Sequence, residues 1–302
     1  MARRARRVRR ERPVQGAPTA RDFRGDVTPD WCPGCGDFGV LNALQNAYAK
    51  LDRGNHNHLT VSGIGCSSNL PGYIRTYGMH TLHGRSLAVA TGAKFANHEL
   101  NVVVTGGDGD GYGIGGNHFI HTMRKNIDLL YVVMNNETYG LTVGQASPTT
   151  VIGEQTKSTP FGNLETPLNP VAMAIVAGAT YVARAFSSER TQLIELMHNG
   201  MQHKGFAFID VISPCITWKS DEIFVYWKER VQSLEDHDTS DRAAALEQAV
   251  KTGHETQLGL FYHDTSRQSL DEMEPVLENG PIAHQPLGIS KEQGDAIIQK
   301  MM

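Results

Sequence analysis

Short, nearly continuous apolar runs alternate along this chain with longer segments whose apolar residues recur at helical spacing. The first helical segment, Asp37 to Lys50 (DFGVLNALQNAYAK), follows a Gly-rich turn, and His58 to Gly63 (HLTVSG) is then a β-branched run ending in glycine. A loop holding Pro71, Gly72 and Gly78 leads to Leu87–Asn97 (LAVATGAKFAN), whose small side chains suit a helix packed close to a neighbour. Asn101 to Thr105 (NVVVT) reads as a strand running straight into glycines, Gly115 to Arg124 as a helix, and Leu129 to Met134 (LLYVVM) as a second buried strand. Pro170 opens a further helix, and Tyr181–Phe186, Glu189–His203 and Phe206–Ile212 read as strand, helix and strand. Strands that are apolar along their length and alternate with helices predict an α/β fold, a mainly parallel sheet with helices on both faces. Such sheets bind ligands beyond the carboxyl ends of their strands. The motifs GIGC, GGDGDG and NNETYG stand at those ends.

The pattern divides the chain into three parts. Residues 1–27 are polar and basic and read as a flexible arm; residues 28–223 carry the α/β pattern. From 224 to 302 periodicity weakens and charge rises, as in an extension that packs over the domain or reaches a partner subunit. The opening MARRARRVRRER could be a nucleic-acid or membrane-surface arm or a transit peptide, but its composition is that of a solvated tail, and neither a nucleic-acid nor a membrane partner is expected. No apolar run approaches the roughly 20 residues that cross a bilayer, and no signal-peptide core follows the arginines, so a cytoplasmic protein is expected. The hydrophobic share of 40% and the net charge of −4 are ordinary and name no partner.

Glycine changes the picture. Many of the 31 glycines cluster between Gly63 and Gly116, where backbone must come close to a ligand. In GGDGDG, residues 106–111, glycines at a strand end and ahead of a helix suit an anion, yet the aspartates would repel one. A Mg²⁺ ion between carboxylate and phosphate resolves the conflict, and Asn135–Asn136, at the next strand end, offer further oxygen. Plain Gly-Asp turns are the bland alternative. A dinucleotide site is a weaker one, because G-x-G-x-x-G is matched poorly. The strand–GDG–helix–strand–NN order resembles the binding motif of thiamine-diphosphate enzymes. That resemblance assigns Asp108, Asn136 and the carbonyl of Thr138 to the metal and sets Gly107, Gly109, Asp110, Gly140 and Leu141 along the diphosphate.

Four cysteines occur: Cys32, Cys35, Cys66 and Cys215. The close pair in WCPGCG alone could bind zinc, form a redox disulfide or hold a cluster. A zinc ribbon needs a second close pair, a redox pair leaves Cys66 and Cys215 without a role, and four thiolates suit a [4Fe–4S] cluster. Cys66 and Cys215 both follow strands, so the fold is expected to gather all four near the diphosphate motif.

Together WCPGCG, GIGCSSN, LHGR, GGDGDGYGIGGNHF and NNETYGLTVGQ resemble the β subunit of 2-oxoacid:ferredoxin oxidoreductases, over about Trp31 to Cys215. The resemblance implies thiamine-diphosphate- and coenzyme A-dependent oxidative decarboxylation of a 2-oxoacid, with electrons leaving through the cluster to ferredoxin. It places Gly65, Ser67 and His83 on the cofactor and Ser68, Asn69 and Arg85 towards the substrate, His83 and Arg85 also neutralising or hydrogen-bonding the diphosphate. Asn69 could bond a distal carboxylate, which favours 2-oxoglutarate, to succinyl-CoA, over pyruvate or indolepyruvate. No catalytic side chain is expected here. The glutamate that activates the aminopyrimidine is expected from an α subunit, in an αβ pair that dimerises to a heterotetramer. A non-redox thiamine-diphosphate decarboxylase subunit is opposed by the cysteines, and a zinc-stabilised module would leave GGDGDG without a purpose. Electron acceptor, direction and oxygen tolerance stay open.

Overall fold

The computed structural model describes residues 16–220, 222–234, 236–251, 256–286 and 288–302. The arginine-rich opening of the basic arm lies outside the described residues. In chain order the elements begin with α1 (Asp37–Lys50), β1 (His58–Ser62), α2 (Leu70–Tyr73), β2 (Tyr77–His80), α3 (Ser86–Ala96) and β3 (Asn101–Gly107). A wide π-type turn, Gly109–Ile114, then leads into α4 (Gly116–Lys125) and β4 (Leu129–Asn135). There follow α5 (Pro170–Ala177), β5 (Tyr181–Phe186), α6 (Arg190–Gln202), β6 (Phe206–Ile212), α7 (Ile223–Lys228), β7 (Val231–Ser233), α8 (Arg242–Val250), β8 (Thr256–His263), α9 (Leu270–Met273) and α10 (Lys291–Met301).

Eight strands among the described residues form one sheet in the order β2-β1-β3-β4-β6-β5-β8-β7. Every pairing is parallel except that of β5 with β8. Alternation along the inner strands builds two cores. Val103, Leu130, Val132, Ala183 and Ile209 join the core formed with Val40 and Leu44 of α1 and Leu193 and Met197 of α6. Val102, Val104, Leu129, Tyr131, Val133 and Phe208 join the core shared by α3, α4, α5 and α8. Burial on both faces explains why these strands read as unbroken apolar runs instead of alternating ones.

The structure departs from the sequence reading in four places. β2 carries no apolar signal because all four of its residues are exposed at the sheet edge. β3 runs on through Gly106 and Gly107, two residues past the end expected at Thr105. The basic arm ends sooner than residue 27: Phe23 is fully buried, stacks on Tyr48 with centroids 5.3 Å apart, and Arg24 bridges to Ile74. A single aromatic in a polar stretch has no periodicity, and only its partners reveal it. The extension after 224 supplies β7 and β8 to the same sheet, and Phe224, Trp227 and Val231 pack against Phe186, Ile212 and Leu258. Among the described residues no helix is long and apolar enough to cross a membrane.

Candidate active site

Because β1, β3, β4 and β6 are mutually parallel, their carboxyl ends share one edge, and each ends in polar or glycine-rich chain. There a cleft opens. Gly65, Cys66, Ser67 and His83 line it together with Gly107, Asp108, Gly109 and Asp110, and Asn136, Thr138, Gly140 and Leu141 complete the expected set. Ser68, Asn69 and Arg85 are not among its lining residues. Ser68 is buried behind the wall, where its carbonyl accepts from Ser62 Oγ at 2.7 Å. Asn69 and Arg85 are exposed, Asn69 reaching Asp30 at 3.5 Å and Arg85 the Gly84 carbonyl at 3.5 Å.

Asp108 is fully enclosed, 1% exposed. Its Oδ2 accepts from the Ser147 hydroxyl and, at 2.7 Å, from that of Thr149. No basic side chain among the described residues pairs with it, and burial raises its pKa despite those two bonds. Thr149 Oγ1 also stands 2.9 Å from Asn135 Oδ1, one proton facing two acceptors. The next turn is closed locally: Asn136 Oδ1 accepts from the Thr138 amide at 3.1 Å, and Glu137 between them takes the left-handed conformation at φ 57°.

Asp110 spends one carboxylate oxygen on neighbouring loops. Its Oδ1 accepts from the amides of Ile64 (3.0 Å) and Gly84 (2.8 Å) and lies 2.6 Å from His83 Nδ1. It therefore ties the loop after β1 and the LHGR loop to the π-type turn. Gly84 permits this because its φ is +68° and a Cβ there would lie 2.6 Å from the Gly115 amide.

The cysteines gather as the topology requires. The Gly36 amide donates to the Pro214 carbonyl at 3.1 Å, and Trp31 Nε1 to the Cys66 carbonyl at 2.7 Å. A Cβ on Gly140 would lie 3.6 Å from Cys66 Sγ, so one thiol borders the cleft. None is in a disulfide; Cys32 is exposed and Cys215 buried. Burial raises the Cys35, Cys66 and Cys215 thiols, that of Cys66 to about 12, with neighbouring thiols and Asp37 adding to the rise. Among the described residues no three His, Cys, Asp or Glu side chains, as they stand, converge on a single-ion site.

Several residues here carry no sequence signal. Asp37 opens α1, lines the cleft beside the cysteines, accepts from Ser213 Oγ at 2.6 Å, and is raised by burial to about 6. Lys219, itself largely buried, bonds Glu154 at 2.6 Å and Glu137 at 3.4 Å, joining the loop after Cys215 to the turn at Asn136–Thr138. Burial lifts Glu137 to about 7, with Lys219 acting against that rise. Trp218 Nε1 donates to the Gly140 carbonyl at 2.8 Å. Adjacency of Lys219 and Trp218 to Cys215 in sequence is the one available hint.

Comparison with known proteins agrees with this geometry. Residues 52–211 match the family described as thiamine pyrophosphate enzyme, C-terminal TPP binding domain, and residues 215–279 match the family described as the C terminal of the pyruvate ferredoxin oxidoreductase beta subunit. The second match falls mostly on the extension, where the sequence shows no legible motif. The chain is 43% identical over 293 residues to 2-oxoacid:ferredoxin oxidoreductase 1, subunit beta, of Aeropyrum pernix, covering 91% of this chain and 92% of that one. It is 46% identical over 206 residues to 2-oxoglutarate oxidoreductase subunit KorB of Mycobacterium tuberculosis, covering 66% of this chain and 55% of that one. Among solved structures, a chain of 2-oxoglutarate:ferredoxin oxidoreductase from Magnetococcus marinus, with 2-oxoglutarate, coenzyme A and succinyl-CoA bound, superposes with a TM-score of 0.86 at 41% identity, covering 93% of this chain and 96% of that one. Coverage this complete, on a fold whose strand ends hold the cleft, shows that the chain belongs to the β-subunit family of 2-oxoacid:ferredoxin oxidoreductases.

Proposed function

We propose that the cleft holds thiamine diphosphate through a Mg²⁺ ion, that Cys32, Cys35, Cys66 and Cys215 hold a [4Fe–4S] cluster beside it, and that with an α subunit the chain converts 2-oxoglutarate and coenzyme A to succinyl-CoA, the electrons passing to ferredoxin. The observation that carries this reading is Asp108: an enclosed carboxylate, without a basic partner among the described residues, on a cleft lined also by Asn136 and Thr138 beyond the end of the neighbouring strand. A hard divalent cation is the group that offsets such burial and bridges to phosphate oxygen. The diphosphate fits as well, since a Cβ on Gly65 would meet nothing within 4 Å and one on Gly107 only the Met134 carbonyl at 3.9 Å. The cluster fits the donor set: four free thiols, three held high by burial and by one another, bind as thiolates only where a metal unit neutralises them.

When bound, thiamine diphosphate supplies the carbanion chemistry and the cluster the one-electron exit. The protein's own part is position and dryness. Asp108, Asn136 and Thr138 would hold the cation, His83 and the glycines would flank the diphosphate, and Ser67, whose buried hydroxyl has no hydrogen-bond partner among the described residues, lines the same cleft. Ser68, Asn69 and Arg85 would act on substrate only from outside the present lining, at a face completed by the α subunit. A heterotetramer of two αβ pairs is the assembly this division of labour calls for. Choice of 2-oxoglutarate is supported by the names of the Mycobacterium and Magnetococcus proteins. A pyruvate reading is favoured by the description of the family matched at 215–279.

One experiment tests the whole. The chain is purified anaerobically with its α partner, and iron, acid-labile sulfide and thiamine diphosphate are measured together. About four irons and one thiamine diphosphate per chain are expected, with cluster bleaching on adding 2-oxoglutarate and coenzyme A, and little with pyruvate or indolepyruvate. Zinc in place of iron, with no thiamine diphosphate, would sink the reading.

A further inference from the structure

Asp210 is a buried acid in the middle of an otherwise apolar strand, β6, 2% exposed and flanked in register by Val133 of β4 and Arg184 of β5. A charge there is costly unless every lone pair is used, and here they are used in a particular way. Oδ2 accepts from Arg184 Nε at 3.2 Å. Oδ1 accepts from two groups belonging to different strand ends: Tyr112 Oη at 2.9 Å, from the π-type turn after β3, and Asn135 Nδ2 at 3.1 Å, from the last residue of β4. With its amide nitrogen held by Asp210, Asn135 turns its oxygen towards Thr149, whose hydroxyl reaches Asp108 at 2.7 Å. One carboxylate thus grips both turns that carry Asp108 and Asn136, and a polar chain runs from Arg184 through Asp210 to Asn135 and ends at Thr149, whose single proton serves either Asn135 or Asp108.

We propose that Asp210 is a positioning residue for the cation and diphosphate site, setting the separation of the two strand ends through Tyr112 and Asn135. The assignment rests on the cation reading of Asp108 and Asn136 and adds to it a residue that touches neither metal nor cofactor. An apolar residue at 210 would pack the sheet as well, but Tyr112 and Asn135 would then be free to take other partners. Outer groups that orient metal ligands carry about 10–100-fold in metal affinity.

The test uses the αβ complex stripped of metal by chelator and titrated with Mg²⁺ while retention of thiamine diphosphate is followed by equilibrium dialysis. Tyr112→Phe removes one hydroxyl and keeps the ring, which packs on Phe119 and Phe208. It is expected to raise the Kd for Mg²⁺ about tenfold, and Asp210→Asn by about 10–100-fold. In Tyr112→Phe the metal-free complex melts a few degrees below wild type, as the loss of one buried hydrogen bond requires, and saturating Mg²⁺ restores kcat. A purely structural role would lower the melting point as much and leave the Kd alone. Wild-type Mg²⁺ affinity in both variants, with Asp108→Asn unable to bind, would overturn the role of Asp210 only. Wild-type binding in Asp108→Asn as well, or no thiamine diphosphate in the wild-type complex, would overturn the cation reading and this inference with it.

Discussion

A methyl group added at Gly63 should loosen two loops at once. The backbone there is compatible with alanine, since Gly63 has no positive φ. The added carbon would lie 1.8 Å from Asp110 Oδ2, 2.6 Å from its Cγ and 2.8 Å from Oδ1, where ordinary contact begins at 3.4 Å. The oxygen would have to retreat by about 1.6 Å. Asp110 is buried, and its Oδ1 holds the Ile64 amide, the Gly84 amide and His83. Oδ1, the oxygen that makes these bonds, would itself have to move by about 0.6 Å, which stretches all three and takes the longest, to the Ile64 amide, past hydrogen-bonding distance. A bond to a charged group is worth roughly 1.5–3 kcal/mol, and overpacking adds about 1–3 kcal/mol, so Gly63→Ala should cost about 3–5 kcal/mol. The assay is thermal melting of the αβ complex without cofactor, followed by thiamine diphosphate dialysis at fixed Mg²⁺. Gly63→Ala should melt lower and bind cofactor more weakly, and Gly63→Ala with Asp110→Gly should recover part of the packing but none of the loop order. A melting point and cofactor affinity equal to wild type would refute the view that Asp110 is the tie between these loops.

Lys219→Met leaves Glu137 and Glu154 without their cation, and breaking a largely buried pair by removing one partner costs about 3–5 kcal/mol; Glu154→Gln, which keeps Lys219 paired with Glu137, should cost far less in the same melting assay. Burial lowers His203 from its ordinary value to about 4, with His263 adding to the fall. A depressed histidine binds its proton better when unfolded, so its stabilising contribution is complete above about pH 6.5 and is lost as pH falls through 4, on the order of 3 kcal/mol in all. Melting points of His203→Gln and wild type taken from about pH 4.5 to 7.5 should therefore converge at the acid end, and parallel curves would contradict this. Phe23→Ala should cost about 3–5 kcal/mol, read by denaturant unfolding, because the ring is fully buried against Tyr48 and His58.

Much of the frame was decided by local sequence. Runs such as LLYVVM and FAFIDVI are strands because β-branched and aromatic residues buried on both faces suit nothing else of that length, and parallel strands joined by helices must put their carboxyl ends on one edge. From that alone the gathering of Cys66, Asp108, Asn136 and Cys215 could be anticipated. Tertiary structure alone decided what holds those residues in place. Asp210 meets Tyr112 across 98 positions and Asn135 across 75, Lys219 meets Glu137 across 82, and Ser147 and Thr149 close over Asp108 from a loop with no periodicity. The same holds for Phe23, for the exposed edge strand β2 and for β8, which turns antiparallel to join β5. Hydrophobic periodicity reports which face of an element is buried. It carries no information on which distant polar group a buried carboxylate will find, because that pairing is selected by the desolvation cost of leaving the group alone once the chain has closed around it.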